Sequence, residues 1–94
     1  MFRLERVDEG TVRLIGRLDG DEAERATAPF AELEGSIVAD CSELDYISSA
    51  GIAVVLITLQ RLSRKGHTLR LHLVQPRVRN VFKYAGLAQV LGIE

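Results

Sequence analysis

The chain has 94 residues, 47% of them hydrophobic, with a net charge of −1, one cysteine and two histidines. That is enough for one globular domain and too much apolar content for a disordered tail. It excludes a disulfide framework, because Cys41 has no partner, and a clustered metal site, because one cysteine and two histidines stand at uninformative spacing.

No apolar run approaches the roughly 20 residues that cross a bilayer. The N-terminus, Met-Phe-Arg-Leu-Glu, lacks the basic-then-apolar order of a signal peptide. These features predict a soluble, cytoplasmic protein without membrane insertion. The small net charge conceals an asymmetry. Twelve of the thirteen acidic residues lie between Glu5 and Asp45, and seven of the twelve basic residues between Arg61 and Lys83. This pattern fits either oriented docking or two solvated faces.

In chain order, residues Arg3 to Val7 and Thr11 to Arg17 predict two strands joined by a turn at Asp8-Glu9-Gly10. Asp19 or Asp21 caps a helix over about Asp21 to Leu33, with Ala23, Ala26, Phe30 and Leu33 inward and Glu34-Gly35 as its stop. Ser36 to Cys41 is a near-continuous apolar run, expected of a central strand that includes a buried Cys41. A turn at Ser42 to Leu44 then leads to a short strand at Asp45 to Ile47. The next helix runs from Gly51 to about Lys65. Thr68 to Val74 reads as a strand with Leu69, Leu71 and Leu73 on one side. Pro76 starts a helix from Arg77 to about Ala85, before an apolar tail, Val90 to Ile93. The expected fold is α/β: one domain with a mixed, mostly parallel sheet of four to five strands and three to four helices.

The informative stretch is Asp40 to Leu62. Two serines, Ser48 and Ser49, stand where a strand ends and a helix begins. Amides in a helix's first turn lack internal partners and carry partial positive charge, so a phosphate added there is electrostatically favoured. Either serine can equally be a plain helix cap, and one can cap while the other is modified. Gly51 lacks a side chain and leaves its backbone open to close approach. Along the helix, Ile52, Val55, Leu56, Leu59 and Leu62 share the expected core face, while Ala53, Val54 and Ile57 lie opposite. The outer side continues into Arg61, Arg64 and Lys65. The arrangement is a docking patch with a basic rim, unless another element of the domain covers it.

Four stretches, taken together, resemble the STAS domain family, in particular the bacterial anti-sigma factor antagonists. Gly16-Arg17-Leu18-Asp19 is similar to the family's Gly-x-Leu-Asp. Asp40 to Ile47 resembles its Asp-x-Ser-x-Leu-x-aromatic-aliphatic stretch. Ser48-Ser49-Ala50-Gly51-Ile52 resembles its phosphorylation motif, and Val78 to Leu87 its last helix. The resemblance spans nearly all of residues 1–94.

It implies binding to an anti-sigma factor, a kinase of the histidine-kinase-like ATPase type, with release on phosphorylation of Ser49 and reset by a phosphatase. It places Asp19 and Gly51 at the partner surface, and with Ser48, Ala50 and the outer-side residues Ala53, Val54 and Ile57 they make up the expected docking face, with no cofactor and no required oligomer. Two positions depart from the motif: Ser48 replaces an acidic residue, and Ala50 replaces a second hydroxyl residue.

An alternative within the same fold is a STAS subunit that binds the ATPase of a lipid-transporting ABC complex. An enzyme using Ser49 as nucleophile is disfavoured: Ile47 stands where the nucleophile elbow needs glycine, and His67 and His72 read as surface residues. The basic segment Arg61 to Lys65 is short and carries no aromatic residue, which argues against nucleic acid. No glycine-rich Lys-Ser/Thr phosphate loop is present.

Overall fold

The structure, a computed structural model, describes residues 1–91 and 93. Gly92 of the predicted apolar tail lies outside the described residues. Strands β1 (Phe2–Asp8) and β2 (Thr11–Leu18) form an antiparallel hairpin, its turn held by the Gly10 amide donating to Asp8 Oδ1 at 3.0 Å. Helix α1 (Gly20–Ala31) leads to β3 (Ile37–Ile47), and α2 (Ser49–Arg64) to β4 (Leu69–His72). Helix α3 (Pro76–Tyr84) closes the set.

The sheet order is β1-β2-β3-β4, with β2, β3 and β4 mutually parallel. Each crossover advances the chain by one strand in the same direction. Crossovers of the usual hand therefore place both helices on one face, and α1 packs directly against α2. The first turns of α1 and α2 consequently stand above the carboxyl ends of β2 and β3. This sheet edge is where α/β folds usually build their sites.

The buried face of the sheet carries Val12, Leu14 and Leu18, then Ile37, Ala39 and Cys41, then Leu69 and Leu71. Phe30 from α1, Leu62 from α2 and Phe82 from α3 are also fully buried. Each such side chain contributes about 1.5–3 kcal/mol on leaving water.

Several boundaries differ from expectation. The turn at Ser42 to Leu44 does not exist, because β3 is continuous and absorbs two extra residues as bulges opposite Arg13–Ile15 and Gly16–Arg17. Asp40 Oδ1 accepts from the Ser42 amide at 2.9 Å, which holds the first bulge. The polar Ser42-Glu43 pair breaks the apolar alternation without turning the chain.

Helix α1 ends at Ala31 rather than Leu33. Pro29 lies inside its last turn, and Glu32 and Leu33 donate to the carbonyls of Pro29 and Phe30 in the tighter pattern. Leu33 is buried nonetheless. Strand β4 stops at His72 because Leu73 turns out of it with φ +56° and is 70% exposed, so Leu73 does not join Leu69 and Leu71 inside. At Gly16 (φ +95°) a Cβ would fall 2.1 Å from the Met1 carbonyl oxygen, which accepts from the Arg17 amide at 2.8 Å. Glycine there lets the N-terminus lie across β2.

Candidate functional site

Ser48 and Ser49 have separate tasks. Ser48 is the N-cap of α2: its Oγ accepts from the Gly51 amide at 3.2 Å and donates to the Leu18 carbonyl at 3.3 Å. Its own amide donates to the same carbonyl at 3.0 Å. The single hydroxyl proton of Ser48 is therefore committed to Leu18. Ser49 is the first residue of α2 and is exposed, and no hydrogen bond holds its hydroxyl among the described residues. A free hydroxyl thus stands at the positive end of a 16-residue helix whose first turn has no acidic residue.

Asp19 follows Leu18 directly and caps α1, accepting from the Glu22 amide at 3.1 Å. The carboxyl end of β2 therefore organises both helix starts. Leu18 ties down the α2 cap, and Asp19, half-buried, supplies the α1 cap.

Gly51 corrects the sequence reading. It is buried, and a Cβ on it would lie 2.6 Å from the Leu18 carbonyl oxygen and 2.8 Å from Ile47 Cγ1. Its role is to let the first turn of α2 press onto the strand ends, not to offer backbone to a partner.

Ala50, Ala53 and Ile57 are exposed along the outer side of α2, Ile57 at 64%. With Ser49 they form a stripe at helical spacing that no other element of the domain covers. Val54 is not on this stripe: it is half-buried and packs against the core cluster. The buried stripe is Gly51, Val55, Thr58 and Leu62. Thr58, missed in the sequence, satisfies its hydroxyl on the Val54 carbonyl at 2.8 Å. Ile52, Leu56 and Leu59 are only half-buried. The core face is rotated from expectation because α2 has two neighbours, the sheet and α1.

The predicted basic rim shrinks as well. Arg61 is half-buried, and its Nη2 donates to the Phe30 carbonyl at 2.9 Å, tying α2 to the end of α1. Arg64 and Lys65 remain exposed.

A pair that sequence reasoning did not single out lies next to the site. The Arg17 guanidinium sits 4.4 Å from the centre of the Tyr46 ring, one residue before Leu18 and Ile47 on paired strands. The strand register alone creates this contact.

The other reactive groups lie elsewhere. Burial, with the Asp40 charge second, pushes the Cys41 thiol up to about 12, so it is protonated and inert. His67 and His72 are exposed, and neither bonds to Ser49. Among the described residues no group of three or more His, Cys, Asp and Glu side chains can hold a metal. No described helix is long and apolar enough to cross a membrane.

Comparison with known proteins agrees with this architecture. A family model described as "Mlab, STAS domain" matches residues 2–92, and the chain belongs to the STAS domain family. BtrV of Bordetella bronchiseptica, named as a candidate anti-sigma factor antagonist, is 34% identical over 84 residues, covering 85% of this chain and 72% of that one. The unphosphorylated form of the anti-sigma factor antagonist SpoIIAA superposes with a TM-score of 0.76 at 28% identity, over 95% of this chain and 84% of SpoIIAA. The phosphorylated form of SpoIIAA, a Bacillus cell fate determinant, gives 0.70 at 26% identity, over 95% and 86%.

Proposed function

We propose that this protein is an anti-sigma factor antagonist acting in the cytoplasm. Unphosphorylated, it binds its anti-sigma factor, a serine kinase of the histidine-kinase-like ATPase type, and so frees a sigma factor for transcription. Phosphorylation of Ser49 ends the complex, and a phosphatase restores it. The observation that carries this reading is the division of labour between the serines: Ser48 spends its hydroxyl on the cap, while Ser49 is exposed with its hydroxyl unengaged. The relatives' names and the two forms of SpoIIAA support it.

The physics follows from the surface. Ala50, Ala53 and Ile57 dock by leaving water, with Asp19 at the neighbouring helix start. In the transfer, the Ser49 oxygen takes the γ-phosphoryl group of ATP, ADP departs, and the hydroxyl proton passes to a base on the kinase. The product carries about −1.5 to −2 charges, with the open end of α2 beneath it. That helix end stabilises the modified monomer by about 0.3–1 kcal/mol. In the complex the same charge must lose water against an apolar contact, which costs several times more.

The test is incubation of the purified protein with candidate kinases and radiolabelled ATP, followed by mass spectrometry of the label. Transfer to Ser49, absent in Ser49→Ala, supports the reading. Stable binding to a transporter ATPase without transfer replaces it with the lipid-transport alternative.

A further inference from the structure

The charge asymmetry of the sequence becomes a groove between α3 and the outer side of β4. Two hollows adjoin there. One, of about 690 Å³, has Arg79, Asn80, Lys83 and Gln89 among its walls. The other, of about 390 Å³, is walled by Arg70, His72, Leu73 and Val74 together with Arg79. Arg79 and Ile93 line both, so the two are neighbours, and no acidic side chain lines either among the described residues.

Arg3, Arg13 and Arg25 each pair with a carboxylate. Of the groove's cations, Arg70 and Lys83 are exposed and, like Arg64 and Lys65 on α2, make no ion pair among the described residues. A second observation falls at the same place. Leu73 holds a left-handed backbone (φ +56°) that is unfavourable for a branched residue, and presents its side chain 70% exposed on the groove wall. A strained, exposed leucine in the hollow that Arg70 also lines fits a ligand that is both acidic and apolar.

We propose that this groove binds an acidic peptide segment of a partner protein, with carboxylates against Arg70 and Lys83 and an apolar side chain over Leu73. The cations are spread along a strand and a helix rather than gathered at one point, which suits an extended chain better than a single small anion. Among the described residues no Phe, Tyr or Trp side chain lines the hollows to stack on a base. Ser49 lines neither hollow, so this surface is independent of the phosphorylation site.

The test uses a short fluorescein-labelled peptide alternating glutamate and leucine, followed by fluorescence anisotropy with the full chain. Binding is expected to weaken with added salt and to fall about tenfold in an Arg70→Glu, Lys83→Glu double variant. Circular dichroism confirms the fold of that variant, and Arg25→Glu serves as the distant charge control. Ser49→Asp is expected to bind the peptide as the wild type does. Equal binding of a lysine-leucine peptide, indifference to the double variant, or loss of binding in Ser49→Asp overturns the proposal. Stronger binding of an oligothymidylate than of the peptide, or displacement by inorganic phosphate alone, also overturns it.

Discussion

Gly51 rests against the carbonyl of Leu18, so closely that a methyl group on the glycine would stand 2.6 Å from the carbonyl oxygen. That contact seats the first turn of α2 on the ends of β2 and β3. The nearest of the crowding atoms is a backbone oxygen that cannot rotate away, so relief requires the helix to lift. Gly51→Ala is expected to destabilise the domain by about 1–3 kcal/mol, measured by urea denaturation. It should also loosen the position of Ser49 and slow phosphorylation, even at temperatures where the variant remains folded.

The two serines give opposite outcomes when each is replaced by alanine. Ser48→Ala removes the acceptor for the Gly51 amide and the donor to Leu18. It is expected to cost about 0.5–2 kcal/mol while leaving Ser49 open to the kinase. Ser49→Ala breaks no hydrogen bond, should change stability by less than about 0.5 kcal/mol, and should abolish labelling. Thermal melts paired with a phosphorylation assay separate the roles. Label retained in Ser49→Ala and lost in Ser48→Ala would reverse them.

How far the sequence led is clearest at this helix. The apolar runs and serine position sufficed to place a strand, a helix and an exposed hydroxyl at their junction, because these are local consequences of periodicity and capping. What stayed illegible depended on neighbours. The rotation of the α2 core face, which brings Thr58 in and leaves Val54 half-buried, follows from α1 lying alongside. Arg61 looked like surface charge until the end of α1 supplied the Phe30 carbonyl. The Ser42-Glu43 break looked like a turn because a bulge and a turn share the same polar signature in one strand. Only pairing with β2 distinguishes them.

Asp40 links that bulge to acid stability. The Ser42 amide holds its carboxyl below the ordinary value of 3.8, with Arg13 assisting at 3.4 Å. A carboxyl lowered on folding adds stability above its unfolded value, and that stability is lost as pH falls through the folded one. Unfolding free energy should therefore decline below about pH 4, taking the unfolded carboxyl near its reference value. Asp40→Asn, less stable at neutral pH, should show a shallower decline over the same window. Parallel pH profiles for the two proteins would remove Asp40 from the acid transition.

Cys41 reports on the same strand. Its thiol is buried and pushed up to about 12, so thiolate is scarce at pH 8. A disulfide reagent such as dithionitrobenzoate is expected to leave the native protein unmodified and to react fully once urea unfolds it. Rapid labelling under native conditions would show that β3 opens on its own, below the global unfolding free energy.

Ile57 and Val54 distinguish docking from folding on α2. Both are aliphatic and near the outer side, but Ile57 is 64% exposed while Val54 packs against the core cluster. A carboxylate at Ile57 remains in water in the free protein and is stripped of it only beneath a partner. Ile57→Asp is therefore expected to leave the melting temperature almost unchanged and to weaken the complex with the anti-sigma factor by about 1–3 kcal/mol. Val54→Asp sets a charge against the core and should lower stability by more than about 2 kcal/mol before any partner is added. Ser49→Asp should resemble Ile57→Asp, because it mimics in part the charge that phosphate introduces at the head of the same stripe. Calorimetric titration of the partner with the three variants, beside their thermal melts, makes the comparison. Undiminished binding by both Ile57→Asp and Ser49→Asp would mean that the anti-sigma factor does not sit on this face of α2.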